Sequence, residues 1–386
     1  MVATLHAQVH GAGPTGVIAA LALVHAGWRV NLIDPLHLDQ LTQRNRAYAF
    51  TYSSRQLLFK IGLWDELKDQ FIPFNTLRLS DEAIATEVEL KGSDLNSKNT
   101  DLGWIARHSS LMQLLLRRVE NNPNINLILG SDPHHCNIRR NQSVDLVVAA
   151  DGPDSPTRSA LAIGKWRWFY QQACLTAQVE MRGCPTDWAW ERLRPEGPFA
   201  ILPLGAEQFQ MVWSAPQSRC RQLQILSGEA FLNNLARALP EQLQPDALLD
   251  TPKSFPVSLH LAHRLHRGNT LLLGESAHRC HPVGGQGLNL CWRDVDVLLS
   301  LARRAQQGQL DPSRIGAAYG WRRWPDVIAT LLLTDLLVRL FSNRHKLLLL
   351  PRRLALLLLA RFAPIRQLVL GTMTYGPCRL LARRPL

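Results

Sequence analysis

The sequence predicts an α/β protein: a Rossmann-like nucleotide-binding layer, an inserted and mostly antiparallel β-sheet, and a C-terminal helical segment. Three observations carry this. Residues 5 to 34 read strand, glycine-rich turn, helix, strand. Phe74 to Glu89 and Lys165 to Pro216 alternate apolar and polar residues and are rich in Trp, Phe and Val, the pattern of antiparallel strands with one covered face. Beyond Ala317, leucines recur at helical spacing among arginines. A chain of 386 residues, 46% hydrophobic and 19% charged, can bury more than one core, and this composition excludes a mainly disordered protein.

The first unit opens with Ala7, Val9 and His10 leading into Gly11-Ala12-Gly13-Pro14-Thr15-Gly16. A helix follows from Val17 to Ala26, Gly27 caps it, and a strand through Val30, Leu32 and Ile33 ends at Asp34. In this G-x-G-x-x-G pattern Gly11 permits the tight turn, Gly13 lets a pyrophosphate reach the backbone, and Gly16 lets helix and strand pack closely. The free N–H groups at the helix start attract phosphate, and Asp34 is placed to accept a hydrogen bond from a ribose hydroxyl. The plain alternative is a chance glycine-rich turn, but the whole strand, helix, strand and acid favour a dinucleotide.

Short apolar strands return at residues 146–150 and 270–273, each running into a polar motif. The first is Ala150-Asp151-Gly152-Pro153-Asp154-Ser155-Pro156-Thr157-Arg158, where Arg158 is placed to pair with a carboxylate or phosphate; a simple surface turn is the competing reading. The second runs from Leu273 to Leu290 through Gly274, Glu275, Pro282, Gly284, Gly285, Gly287 and Asn289, then into a helix. Backbone amides at such a helix start stabilise developing negative charge. His278, Cys280 and His281 lack ordinary zinc spacing and a fourth ligand, so no metal is expected. Gly274-Glu275-Ser276 is not a nucleophile elbow, so a serine hydrolase has little support. Between these motifs Ser227 is positioned to cap a helix running to about Leu239.

Seven scattered cysteines, with no C-x-x-C pair, fit a reducing compartment better than a disulfide framework. No secretory signal is expected at the N-terminus, and no uninterrupted apolar run reaches the length of a membrane span. The charge is unevenly placed. Residues 301–386 hold 15 Lys and Arg against 3 Asp and Glu, so the whole net charge of +12 lies there and the first 300 residues are neutral. This argues against a nucleic-acid partner and for one anionic surface met by one end. Leu331 to Phe341 and Leu347 to Phe362, with Arg339, Arg344, Lys346, Arg352, Arg353, Arg361 and Arg366 interspersed, suit an anionic membrane surface; helices packed on the body are the alternative.

Taken in order, these motifs resemble the group A flavin monooxygenases. Within them the chain is most similar to the ubiquinone-biosynthesis hydroxylase family, the bacterial 2-octaprenylphenol hydroxylases and their mitochondrial counterpart. The stretch HPVGGQGLNLCWRD from His281 to Asp294 resembles the family signature, and RAYAFTYSSRQLLFKIGLW from Arg46 to Trp64 the segment after the second strand. Residues 197–204 with Val212-Trp213 resemble its substrate-domain strands, and residues 334–343 its C-terminal helix. The resemblance covers nearly the whole chain. It departs at Glu275, where the family usually has Asp for the FAD ribityl chain, at Cys291, where a small Gly is usual, and at Ser276, where Ala is usual.

The resemblance implies a para-hydroxybenzoate hydroxylase-like fold. FAD-binding parts fall at 1–73, 101–164 and 263–300, substrate-domain strands at 74–100 and 165–262, and a basic helical region at 301–386. It implies FAD as cofactor, NAD(P)H as a transient co-substrate without its own Rossmann domain, and O2. Through a C4a-hydroperoxyflavin, one oxygen atom would reach the ring of a lipophilic aromatic quinone precursor. Gly11, Gly13, Gly16, Asp34, Arg46, Arg107, Asp151, Gly274, Glu275, Gly284, Gly285, Gly287 and Asn289 would bind FAD. Pro282 and His281 would position the flavin ring and pocket, and Trp166, Trp168, Trp188, Trp190 and Trp213 would either line an aromatic pocket or pack on the sheet. A cytoplasmic enzyme, peripheral on a membrane, is the expected location. An isoprenoid-chain reductase sharing the FAD domain, and a flavin-binding subunit weakened at Glu275, are the alternatives.

Overall fold

The computed structural model describes residues 4–95, 100–132 and 144–378. Cys136 and the last eight residues of the basic tail lie outside these ranges. The described residues build three sheets. In the six-stranded one, the strand His6–His10 lies between Arg29–Asp34 and Leu146–Ala149, with Ile125–Leu129 and Thr270–Leu272 beyond them, all parallel. Parallel order brings the C-terminal ends of His6–His10, Leu146–Ala149 and Thr270–Leu272 to one edge, so the three polar motifs that follow them meet there.

The helix Pro14–His25 is buried on nearly every side, which explains why it carries no polar face. It packs between this sheet and the helix Gln286–Gln306, whose Ala302 carbonyl accepts a hydrogen bond from the buried Trp28 indole at 3.0 Å. Gly27, at φ 92°, ends the helix as expected. Ser227 caps Gly228–Ala238, its hydroxyl accepting from the Ala230 N–H at 3.3 Å.

The nine-stranded sheet is antiparallel except where Trp188–Leu193 pairs in parallel with Thr76–Asp81. Its strands Lys165–Arg182, Gln208–Pro216, Phe199–Pro203 and Trp188–Leu193 lie in register side by side. Alternation sends Phe199, Ile201, Phe209, Met211, Trp190 and Trp213 into a core closed by Phe231 and Leu235 of the Ser227-capped helix. Residues one step along each strand face the nucleotide-binding layer instead.

The C-terminal segment forms helices Ile315–Phe341, Lys346–Arg361 and Ala363–Tyr375. They cover the molecule on one face and leave leucines bare on the other. Trp321, Ile328, Leu332 and Leu336 form an exposed stripe along the first helix, and Leu347, Leu350 and Leu354 stand exposed on the second. The basic residues do not all share that exposure. Arg352 is wholly buried, donating to the carbonyls of Leu340 at 2.6 Å and Asn343 at 2.9 Å, so it ties two helices together. Arg366 reaches Asp94 at 3.0 Å, and Arg339 pairs with Asp335 at 2.6 Å. Arg344, Lys346, Arg353 and Arg361 are exposed. No single described helix is long and apolar enough to cross a membrane; the second and third pass such a test only as a pair, bent by 101°.

Candidate active site

A cavity of about 730 Å³ opens where the three polar motifs meet the large sheet. Its nucleotide-binding wall is backbone. A Cβ on Gly16 would lie 1.8 Å from the Gly11 carbonyl oxygen, and one on Gly11 2.4 Å from the Ala150 oxygen, so both must be glycine for turn, helix and second motif to close together. Gly16 lies behind the cavity rather than on it. At Gly13 a Cβ would meet nothing within 4 Å, and that open space belongs to the cavity. The helix start there has no side-chain cap and no acid in its first turn, which leaves its donors for a ligand. Asp34 accepts from the Ala12 N–H at 2.6 Å and the Leu36 N–H at 2.8 Å, a bracing that aims its carboxylate along the cavity edge.

The second motif contributes Asp151. One of its oxygens accepts from the Thr157 N–H at 3.0 Å, while the other is buried without a hydrogen-bond partner among the described residues. A buried carboxylate oxygen with nothing bonded to it calls for a donor from a ligand. Arg158 is not aimed outward as its place in the motif suggests. It is buried, and its guanidinium donates to the carbonyls of Ser276 at 2.7 Å and Pro153 at 3.1 Å, locking the second motif to the third.

In the third motif Gly274 (φ 68°) sits against Thr15 and Cys291, so the larger Cys291 is accommodated by packing its sulfur there. Glu275 lines the cavity and lies 3.6 Å from Arg279. Pro282, Gly284, Gly285 and Gly287 also line it, with Gly284 and Gly285 in the left-handed region at φ 66° and 62°. This bend aims the uncapped start of Gln286–Gln306 into the cavity. Asn289 reaches the lining, but its side chain is occupied. It accepts from the Thr51 N–H at 3.0 Å and the Ser54 hydroxyl at 2.7 Å, and donates to the carbonyls of Ala49 and Gly285, both at 2.8 Å. It fixes the glycine loop to the neighbouring strand.

A buried ionic cluster stands behind this loop. Asp294 accepts from the Gly274 N–H at 2.9 Å, from His278 Nε2 at 2.7 Å and from Arg323 at 2.6 Å; Arg323 also meets Asp326, which pairs with Arg293. Burial alone would raise the Asp294 carboxyl, but His278, Arg323 and the amide outweigh it and hold it down to about 2. His278 thus braces the loop through Asp294. His281 does not line the cavity either. It is fully buried, accepts from the Val283 N–H at 3.2 Å, lies 3.3 Å from Gln172 and is pushed by burial down to about 3, so it holds the loop as a neutral ring.

Arg46 lines the cavity with its guanidinium 5.3 Å from the Phe255 ring. Beside it the Tyr48 hydroxyl donates to His108 Nδ1 at 2.8 Å, the tautomer being set by donation from Nε2 to the Leu41 carbonyl. Arg107 is placed elsewhere: its guanidinium donates to Gln178, and to Gln208 at 2.7 Å, on the large sheet. Of the five tryptophans, Trp190 reaches the lining, Trp213 is a core residue bonded to Glu196 at 2.9 Å, Trp188 lies under Arg78, and Trp166 and Trp168 are exposed near the start of the strand Lys165–Arg182.

The opposite wall is the sheet face that sequence reading left unassigned. Thr176, Val212, Ala200 and Glu191 form one row across four strands, and Leu202 and Gln210 a second. Phe74, Leu77, Phe255 and Val257 extend it, while Leu370, Met373 and Thr374 of the last helix close the end. Alternation alone could have sorted these residues to one side, but not told which side held the cavity.

The open Gly13 cradle, two uncapped helix starts, Asp34 and the unmatched Asp151 oxygen together fit a flavin dinucleotide. Comparison with known proteins agrees. Residues 138–325 match a family model described as an FAD binding domain. The ubiquinone hydroxylase UbiL of Rhodospirillum rubrum is 31% identical over 391 residues, covering 95% of this chain and 90% of that protein. The 3-demethoxyubiquinol 3-hydroxylase of Escherichia coli is 29% identical over 313 residues, covering 77% of this chain and 79% of the relative. In fold, the crystal structure of p-nitrophenol 4-monooxygenase PnpA from Pseudomonas putida superposes with a TM-score of 0.77 at 15% identity, covering 97% of this chain and 99% of that one.

Proposed function

The chain belongs to the FAD-dependent monooxygenase family that includes the ubiquinone hydroxylases, and on that premise we propose that it hydroxylates the aromatic ring of a prenylated quinone precursor at a membrane surface. The observation that carries the reading is the two-walled cavity, with a phosphate-and-flavin cradle on one side and a largely apolar sheet on the other. When bound, FAD supplies the redox chemistry: reduction by NAD(P)H and activation of O2 for transfer of one oxygen atom to the ring.

The protein's own part is binding, orientation and exclusion of water. Amides at the start of Pro14–His25 would take the pyrophosphate, and Asp34 a ribose hydroxyl. Glu275 and Asp151 would hold polar groups nearer the ring, and the start of Gln286–Gln306 would stabilise negative charge on it. Phe74, Leu77, Leu202, Leu370 and Met373 would exclude water from the reacting ring.

The bare stripe Trp321, Ile328, Leu332 and Leu336, the exposed leucines of Lys346–Arg361, and the free cations Arg344, Lys346, Arg353 and Arg361 support docking on anionic lipid. Trp168, beneath Arg339 at 5.0 Å, continues that apolar surface.

The test is turnover of a prenylated phenol by the flavin-loaded enzyme with NADPH, in air and without oxygen. Hydroxylated product in air alone is expected. Equal NADPH-dependent conversion without O2, with saturation of the prenyl chain, would replace this reading with an alkene reductase. For the surface, replacing Arg344, Lys346, Arg353 and Arg361 with Gln should weaken co-sedimentation with anionic vesicles by about 1 kcal/mol per charge. Unchanged binding would refute lipid docking.

A further inference from the structure

The sheet wall of the cavity carries an acid in a setting otherwise suited to a hydrocarbon. Glu191 lies at the end of the row Thr176, Val212, Ala200, Glu191, on the face that looks toward the glycine loop. It is half-buried and lines the cavity. Among the described residues it has no ion-pair partner, and its carboxyl meets the Gly284 N–H of the loop. Burial pushes the carboxyl up to about 8, against the opposing pull of that amide, so at neutral pH it stands mostly as an uncharged acid.

A buried acid without a cation is costly to keep unless something in the cavity uses it. Its neighbours on this wall, Val212, Ala200, Leu202, Leu77 and Val257, are apolar, which makes this departure informative. The neighbouring Gln210 has a similar character: its amide nitrogen donates to the carbonyls of Ala177 at 3.0 Å and Met211 at 3.2 Å, leaving its buried oxygen without a partner among the described residues. Polar demand on this wall is therefore concentrated at two side chains, and Glu191 is the one in contact with the loop.

We infer that Glu191 is the residue by which the cavity recognises a ring hydroxyl of its aromatic substrate, holding the ring against the Pro282–Gly285 loop. The inference rests on the reading of the protein as an aromatic hydroxylase and adds the group that orients the ring. A carboxyl suits a phenol because it can accept the O–H or donate to the oxygen. Its bond to the loop amide would fix the ring's position relative to that loop. A site built around such a bond rejects an analogue lacking the hydroxyl far more strongly than an apolar pocket can.

The experiment compares 2-geranylphenol with its methyl ether, measuring dissociation constants by perturbation of the flavin absorbance of the FAD-loaded protein. Wild type should bind the phenol at least tenfold tighter than the ether. Glu191→Leu should keep its flavin and bind both probes alike, and Glu191→Gln should retain most of the preference. Persistence of the phenol preference in Glu191→Leu would overturn the inference. So would loss of flavin from both Glu191→Leu and Glu191→Gln, which would make Glu191 a brace for the loop. Failure of wild type to bind either probe would instead bring down the aromatic-substrate reading on which it rests.

Discussion

One wall of the cavity is built from backbone and the other from side chains, and the two respond to sequence change differently. Gly11, Gly284 and Gly285 shape the nucleotide wall by what they lack, through left-handed turns and a close approach that a Cβ would block, while Gly13 leaves open the space a ligand would take. Thr176, Val212, Ala200, Leu202 and Glu191 shape the opposite wall by what they project from a regular sheet. A glycine turn tolerates almost no substitution but carries no substrate identity. A sheet face tolerates many, each of which changes what fits. A cofactor shared across a family belongs on the first wall, and a substrate that changes between relatives belongs on the second.

The comparison can be broken most severely behind the loops. Asp294→Ala removes the acceptor shared by Gly274, His278 and Arg323 and leaves two buried arginines, Arg293 and Arg323, to share Asp326 alone, at a cost of about 3–5 kcal/mol. Thermal unfolding should show it, with flavin content falling in parallel.

A pair of glycine variants separates packing from ligand contact. Gly16→Ala drives a methyl into the Gly11 carbonyl and should cost about 3 kcal/mol together with the flavin. Gly13→Ala should fold with stability within about 0.5 kcal/mol of wild type, because the added methyl meets only open cavity, yet bind FAD more weakly. Equal stability losses in the two would contradict the division drawn between them.

Acid should act through the braces. His108 is held by burial down to about 4, and His260 and His281 down to about 3, so below pH 6.5 the unfolded chain takes up protons that the folded chain refuses. Stability should therefore fall from pH 6.5 toward 3, by about 1–2 kcal/mol per histidine at pH 5. Glu191 works the other way, its raised carboxyl making its burial less costly on acidification below 8, and burial raises Asp81, Asp101 and Asp250 in the same sense. His25 and His266, also lowered by burial, add to the histidine loss. Thermal melts against pH should slope downward into acid, and His281→Gln should flatten that slope; an unchanged slope would rule out His281 as a contributor.

The mildest change lies on the side-chain wall. Ala200→Leu adds volume to the centre of the row without touching the glycine loops. It should leave flavin content unchanged and raise the KM for a prenylated phenol about tenfold, roughly 1.4 kcal/mol.

Local sequence by itself determined the cradle. Gly11, Gly13, Gly16, Asp34 and the HPVGGQG turn announce themselves because the chemistry of a turn, a helix start and an acid is contained within a few consecutive residues. It also determined the alternation of the large sheet and the concentration of charge after residue 300. It left Arg107 and Arg158 looking like ligand contacts because an arginine's reach allows many partners, and only folding brought Gln178, Gln208, Ser276 and Pro153 to them. Arg352 likewise read as a surface charge until Leu340 and Asn343 offered it buried carbonyls. Asn289 and His281 were found by their motif, but their roles as braces depend on Thr51, Ser54 and Gln172, far away in the chain. Glu191 gave no local sign. A strand's period of two sorts residues to faces, and only the tertiary packing of sheet against glycine loop decided which face became the cavity wall.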